Sequence, residues 1–351
     1  LRANAFRDSV MAAFIDSWWL SVKAEYAQDE TDKYKAYAKT IILNWANRIL
    51  FAHIIKHKQN GAMIVDEIDY DKTPNEANAI FKKITEKCDF YNVFSAVRYN
   101  EALPELSWQD FVEFSNFLSS NGIDHLNQET LQNILEGSVA TSKRAINGQY
   151  TTPTELAKLL VRLTVKNWSD TILDCCCGTG TIPKEAIQIK KTQMTAKEAV
   201  ETVWACDKNN YPLQVANISM TEPDTINIAN RLFQHNALTL SIGEKITITN
   251  PETGGNMILA LPAFGAVVSN LPFVPFEIIP ADDKDEISKM PFVDILDGRS
   301  DLYCYIATKI ADVIKPEGTL GIIVSNSWLG TNAGIKLMEA LKQEYNIKQV
   351  H

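Results

Sequence analysis

An open α/β sheet preceded by an all-helical region is the fold class this sequence predicts, and three observations carry it. Apolar residues in the first 145 positions recur at spacings of three and four, with little strand signal. Beyond Arg144–Gly148, short β-rich runs alternate with helical segments, the pattern of an open α/β sheet. The turns that follow two of those strands carry glycines or carboxylates, as a ligand-binding sheet edge requires.

In the first part, Phe14, Trp18 and Val22 mark one helix, and Ile41, Ile42, Trp45, Ile49 and Ala52 a second. A third starts near Thr73-Pro74 and buries Phe81, Ile84 and Cys88. A fourth starts near Ser107, carries Phe111, Phe114, Phe117 and Leu118, and stops at Asn121-Gly122. These aromatics read as core. In the second part, 171–173, 202–205, 266–268 and 320–324 read as buried strands, separated by helices over 155–166, 183–189, 212–220 and 302–314. The expected domains are 1–145, helical, and 146–351, α/β; 351 residues fit about two domains of ~150.

Composition narrows the classes. With 46% apolar and 22% charged residues the chain is of ordinary globular make-up. No apolar run approaches the ~20 residues of a membrane span, and the start is not a signal peptide. The net charge of −9 is spread evenly, 16 basic and 20 acidic residues in 1–150 against 18 and 23 after, so neither half is a basic nucleic-acid platform. Six cysteines lack the paired spacing of a zinc site, so no metal is expected; they read as small reduced thiols of a cytoplasmic protein. No His/Ser/Asp grouping suggests hydrolysis, and His53, His57 and His125 read as unpartnered. The acidic stretch 276–299 reads as a solvated loop near the site, and 346–351 as a terminal strand of a longer protein.

Chemistry concentrates at the strand ends. In Asp174-Cys175-Cys176-Cys177-Gly178-Thr179-Gly180, the glycines permit a tight turn and close backbone approach of a ligand. Pro183 occupies the third glycine position of a dinucleotide fingerprint, and Asp207 lies further on than the usual ~20 residues. Asp174 would repel a pyrophosphate but suits a sulfonium or ammonium, while Asp207 can accept ribose hydroxyl protons. In this order the motifs favour a nucleoside cofactor without phosphates over a generic pair of strand ends.

The ordered set Gly148-Gln149-Tyr150-Thr151-Thr152-Pro153, Asp174–Gly180, Asp207 and Ser269-Asn270-Leu271-Pro272-Phe273 resembles the N6-adenine DNA methyltransferases. Within them it is most similar to gamma-ordered enzymes of type IIG restriction–modification and type I modification subunits. Residues 318–329 share the likeness, which covers about 148–351. The resemblance implies a Rossmann-like domain using S-adenosylmethionine, with Tyr150, Thr152 and Pro153 over the cofactor. Asp174, Gly178 and Gly180 would hold the methionine end, Asp207 the ribose and Asn236 the adenine ring, although Asn236 also reads as a polar strand end. It further implies double-stranded DNA with a flipped adenine as partner, and a specificity subunit or C-terminal target-recognition domain outside this chain.

The segment at 152–163 has a second reading compatible with the first. Thr152 and Glu155 fit a capping box, Pro153 a first turn, and Leu156, Leu159, Leu160 and Leu163 a buried helix face. At the catalytic turn, Asn270 and the carbonyl of residue 271 would accept both N–H groups of the target amino nitrogen, and Phe273 would stack on the base. Leu271 stands where the family has proline, so the turn lacks a fixed φ. Asp301-Leu302-Tyr303 opens a helix and could line the same pocket, with a helix cap the preferred role for Asp301. Two rival readings stay open: a methyltransferase acting on an RNA base or a protein glutamine amide, and an inactive AdoMet-binding scaffold.

Overall fold

The computed structural model describes residues 1–351 apart from 27–29, 57–59, 89–93, 122–151, 223, 226, 254, 297–299, 330 and 351. It divides into two compact units: Leu1–Ser138 with Glu222–Asn227 and Thr249–Gly255, and Val139–Thr221 with Ile228–Ile248 and Asn256–His351.

The first unit holds helices α1 (Arg2–Arg7), α2 (Ser9–Tyr26), α3 (Lys33–Ile55), α4 (Pro74–Cys88) and α5 (Glu105–Ser120). Asp32 caps α3 by accepting the Tyr34 N–H at 3.0 Å, and Thr73 with Glu76 forms a reciprocal box before α4. Trp45 is fully buried, 5.0 Å from Trp108 and 6.1 Å from Phe81 in edge-to-face contacts. Ile42 and Phe117 are exposed, against expectation. At about 100° per residue each sits one step off the stripe set by Ile41, Trp45 and Ile49 or by Phe111, Ser115 and Leu118. His53 is also unlike its expectation: Nε2 lies 2.9 Å from Ser115 Oγ, and Nδ1 lies 3.8 Å from Asp66 Oδ1. His53 and Ser115 are sealed from solvent, so this grouping serves packing and not hydrolysis. His57 and His125 lie outside the described residues.

The second unit holds α6 (Thr154–Thr164), β1 (Ile172–Asp174), α7 (Thr181–Lys191), α8 (Ala196–Glu201), β2 (Val203–Asp207) and α9 (Asn210–Met220). It continues with β3 (Arg231–Gln234), β4 (Lys245–Thr249), β5 (Asn256–Ala260) and β6 (Phe264–Asn270). It ends with α10 (Ala281–Ile287), α11 (Leu302–Lys309), β7 (Ile314–Ile323) and α12 (Asn332–Glu344). Five strands form a parallel sheet in the order β3-β2-β1-β6-β7, and β4 pairs with β5. Strand side chains alternate between two cores: Ile172, Val203, Ala205, Ala266 and Val268 pack with α6–α9, while Leu173, Trp204, Cys206 and Val267 pack with α10–α12. Burial on both faces explains why these strands read as continuous apolar runs. The order reverses between β1 and β6, and in open α/β sheets ligands bind at the carboxyl ends beside such a switch point.

Three expectations differ from the fold. The buried face of α6 is Ala157, Val161 and Thr164, whereas Leu156, Leu159 and Leu163 are exposed. Close approach to the sheet selects small residues: a Cβ on Gly321 would lie 1.8 Å from Thr164 Oγ1. The described part of the stretch 276–299, residues 276–296, is no solvated loop: it contains α10 and buries Ile279, Asp283, Ile287, Met290 and Leu296, while 297–299 lie outside the described residues. Residues 345–350 form no strand; Tyr345 instead donates its hydroxyl to Ala307 O at 3.0 Å. The edge strand β3, half-exposed and carrying Arg231 and Gln234, gave no apolar run to recognise. Among the described residues no helix is long and apolar enough to cross a membrane.

Candidate active site at the sheet switch point

Asp174 closes β1 and is buried. Its Oδ1 accepts the Ser269 hydroxyl at 2.7 Å and the Cys176 N–H at 3.2 Å. Its Oδ2 is buried and has no hydrogen-bond partner among the described residues. Burial pushes the carboxyl up to about 7; the two donated bonds pull it down, and the charge of Asp207 pushes it further up. The turn that follows needs its glycines. Gly178 has φ +51° and open space where a Cβ would stand, and Gly180 has φ +88° at the start of α7, with Ala216 3.0 Å from where a Cβ would stand.

Asp207 closes β2 and is tied to the same turn. Its Oδ2 accepts the Gly178 N–H at 3.0 Å and its Oδ1 accepts the Asn209 N–H at 2.9 Å. Burial raises its carboxyl, and these two donors oppose the rise. A carboxylate offers about four lone-pair sites, so capacity for two further donors remains. The thiols of Cys176, Cys177 and Cys206 are pushed well up, for Cys176 foremost by the Cys175 hydrogen bond and for the others by burial. They are neutral at pH 7 and serve as small packing groups.

Asn270 closes β6, next to β1. Its Nδ2 donates to Thr152 Oγ1 at 3.1 Å, and its Oδ1 is buried. Thr152 is thereby engaged with the strand end and not in the expected capping box: Pro153 precedes α6 without a side-chain cap, and Glu155 accepts from Lys158 instead. Leu271 compensates for the absent proline in a different manner. Its N–H, which proline lacks, donates to Ile323 O at 3.0 Å, and its side chain is buried in the core. Val274 O accepts the Leu302 N–H at 2.9 Å, so the turn is braced at both ends. Pro272 and Phe273 are half-buried, Phe273 against the α10–α12 core. Asp301 stands at the start of α11 but makes no side-chain cap, contrary to expectation; burial and then Glu277 raise its carboxyl.

Asn236 is held at both ends of its amide. Its Nδ2 donates to Asp283 Oδ1 at 2.7 Å and its Oδ1 accepts the Leu238 N–H at 3.1 Å. Asp283 also receives Lys208 Nζ at 2.7 Å, which joins α10 to the ends of β2 and β3. Sequence reading gave no role to Ser269, Lys208 or Asp283. Signals existed: Ser269 is a polar residue ending an apolar strand run, and Ile279, Asp283 and Ile287 share a four-residue spacing. The structure thus brings Thr152, Asp174 and Asn270 to adjacent strand ends, with Asp207 joined through Gly178, whereas Tyr150 lies outside the described residues. No group of three or more His, Cys, Asp or Glu residues able to hold a metal occurs among the described residues.

The sequence model of the N-6 DNA methylase family matches residues 130–350, well over half of the chain. The chain belongs to the N-6 DNA methylase family. The type II methyltransferase M.BanIII of Aneurinibacillus aneurinilyticus is 29% identical over 84 residues, which span 24% of this chain and 14% of that protein. Among solved structures, the type IIG restriction endonuclease BpuSI superposes with a TM-score of 0.53 at 13% identity, covering 92% of this chain and 35% of that one. The ATP-dependent type ISP restriction–modification enzyme LlaBIII, bound to DNA, gives 0.52 at 15% identity, covering 97% of this chain and 24% of that one. At those identities the likeness is one of fold alone. The chain spans only a fraction of the length of these relatives.

Proposed function

We propose that the chain carries the methyl-transfer machinery of an adenine-specific DNA methyltransferase of a restriction–modification system, using S-adenosylmethionine. The observation that carries the reading is the placement of Asn270 and Asp174 at the ends of adjacent strands, bridged by Ser269 and braced by Thr152. The residues fit the cofactor. Asp174 Oδ2 is a buried acceptor lacking a donor among the described residues, the glycine turn leaves room for close approach, and Asp207 retains acceptor capacity for ribose hydroxyls. Two buried carboxylates would repel a pyrophosphate.

When bound, S-adenosylmethionine supplies an electrophilic methyl group on a sulfonium. The chain's residues do the rest. An adenine amino group is a poor nucleophile because its lone pair is delocalised into the ring. Asn270 Oδ1 and the Leu271 carbonyl accept its two hydrogens and shift electron density onto nitrogen. Thr152, accepting from Asn270 Nδ2, fixes which end of the amide faces the base. Phe273 stacks on the base after it leaves the duplex, and stacking returns ~1–3 kcal/mol of the unstacking cost. The nitrogen–methyl bond forms as the sulfur–methyl bond breaks, and the positive charge passes to the nitrogen. One of the two hydrogens held by Asn270 Oδ1 and the Leu271 carbonyl then leaves to solvent as a proton. Positioning and oriented dipoles carry the transfer.

In this reading residues 1–145 form a helical domain and 146–351 the catalytic domain. Its partners are double-stranded DNA with the adenine flipped out, and a specificity subunit or target-recognition domain beyond these residues. The test is methyl transfer to adenine-containing duplex DNA together with cofactor calorimetry. Asn270→Ala is expected to abolish transfer while S-adenosylmethionine still binds. Transfer unchanged in Asn270→Ala removes the proposed chemistry, and binding unchanged in Asp207→Ala removes the ribose role of Asp207.

A further inference from the structure

Of the four acids in α10, Asp283 alone is buried, at 2% exposure. Its Oδ1 accepts from Lys208 Nζ and from Asn236 Nδ2, each at 2.7 Å. Lys208 does not depend on it for a counter-ion, because the exposed Asp282 accepts the same ammonium at 3.0 Å. Nor does the core need it, since apolar side chains of similar volume commonly pack as well as a buried ion pair. What Asp283 adds is direction. A carboxylate accepts and cannot donate, so the Asn236 amide turns its Nδ2 toward Asp283, while the Leu238 N–H draws Oδ1 the other way at 3.1 Å. Each end of the amide is then engaged once. One N–H and one acceptor lone pair of the half-buried Asn236 have no further partner among the described residues.

We infer that Asp283 is a positioning residue for nucleoside selection: it holds the Asn236 amide in the orientation that takes a 6-aminopurine and refuses a 6-oxopurine. The inference rests on the S-adenosylmethionine reading. There the order of strand ends sets the order of the ligand. Asp174 closes β1, Asp207 closes the neighbouring β2, and Asn236 follows β3, the next strand, with the His235 N–H donating to Asp207 O at 3.0 Å. A nucleoside with its methionine end at Asp174 and its ribose at Asp207 therefore brings its purine toward Asn236. An amide with one donor and one acceptor to spare matches an adenine edge, its oxygen accepting from the 6-amino group and its nitrogen donating to a ring nitrogen. Turned over, the same amide matches the edge of hypoxanthine, which carries a 6-oxo acceptor and a ring N–H donor. Selection between the two purines is thus set by which way the amide faces, and Asp283 sets that.

The test compares S-adenosylhomocysteine with S-inosylhomocysteine, its 6-oxo analogue, by calorimetry on the full 351-residue chain. The parent is expected to prefer the adenosyl ligand by about tenfold or more. Asp283→Asn keeps the size of the side chain but can donate as well as accept, so the amide loses its fixed direction and the preference should fall about tenfold. A merely structural role would weaken both ligands alike and leave their ratio unchanged. Lys208→Gln leaves the Asp283 carboxylate in place and should keep the ratio. Should Asp283→Asn fail to fold, Lys208→Met combined with Asp283→Asn removes both charges together and reads the same ratio. A parental ratio in the Asp283 variants, an equal loss of preference in Lys208→Gln, or a parent that binds both ligands equally overturns the inference and leaves the cofactor reading standing. A folded parent that binds neither ligand overturns the cofactor reading with it.

Discussion

Removing one hydroxyl, in Ser269→Ala, tests how the cofactor pocket sets its charge. Ser269 is fully buried and donates to Asp174 Oδ1 at 2.7 Å, and alanine keeps the rest of the shape. A hydrogen bond to a charged group contributes about 1.5–3 kcal/mol, and one pH unit corresponds to about 1.36 kcal/mol. The Asp174 carboxyl, at about 7 in the parent, should therefore rise by about one to two pH units in the variant. The sign follows from linkage. The folded value lies above the ordinary 3.8, so the fold favours the protonated form, and this group's contribution to stability is full below about pH 4 and is lost as pH rises to about 7. That loss is on the order of 4 kcal/mol. A bound sulfonium or ammonium reverses the preference by pairing with the ionised form. Cofactor affinity in the parent should thus rise about tenfold between pH 6 and pH 8, with release of close to one proton at pH 6. In Ser269→Ala the rise should move to about pH 8–9. Calorimetry between pH 5.5 and 9, in buffers of different ionisation enthalpy, measures both quantities. An affinity independent of pH in the parent, or a variant that behaves like the parent, refutes the reasoning.

Three further outcomes follow. Thr152→Val removes the acceptor that orients Asn270, and should lower turnover about tenfold with Thr152→Ser restoring it; unaltered turnover would take Thr152 out of that role. Asp283→Ala leaves Lys208 and Asn236 without a shared acceptor and should cost about 1–3 kcal/mol in urea unfolding, with weaker cofactor binding as β2 and β3 loosen from α10; a neutral variant would show that the latch is passive. Lys190→Met strands Trp168 O, Asp170 O and Thr202 Oγ1, which now accept from a fully buried ammonium at 2.7–2.8 Å, and should cost about 3–5 kcal/mol; denaturant midpoints report it.

What was legible in the sequence was whatever depends on a strand, a turn and a helix in succession. Asp174, Gly178, Gly180 and Asp207 each sit at such a junction and are marked there by local chemistry, whereas Asn270, at the end of β6, is marked by the resemblance. What depends on contacts between distant segments was not. Thr152 meets Asn270 across 118 positions and Ser269 meets Asp174 across 95, separations that no periodicity reports. The leucine stripe of α6 is misleading because hydrophobicity alone does not set burial there: close approach to the sheet at Gly321 favours Ala157, Val161 and Thr164. Acidity misled over 276–299, where charge suggested solvent; Asp283 is buried because Lys208 and Asn236 meet it. Leu271 looked like a loss of constraint when judged by φ alone, but its N–H gives the turn a tie to Ile323 that proline could not make.

The identity of the methylated atom separates N6-adenine transfer from its rivals most directly. Duplex DNA incubated with the chain and isotopically labelled S-adenosylmethionine, then digested to nucleosides and resolved by mass spectrometry, reads that atom out. Label is expected in N6-methyladenine, and is lost in Asn270→Ala while the cofactor still binds. Label in a methylated cytosine, in RNA or in protein, or no label from a chain that binds both cofactor and DNA, would contradict it.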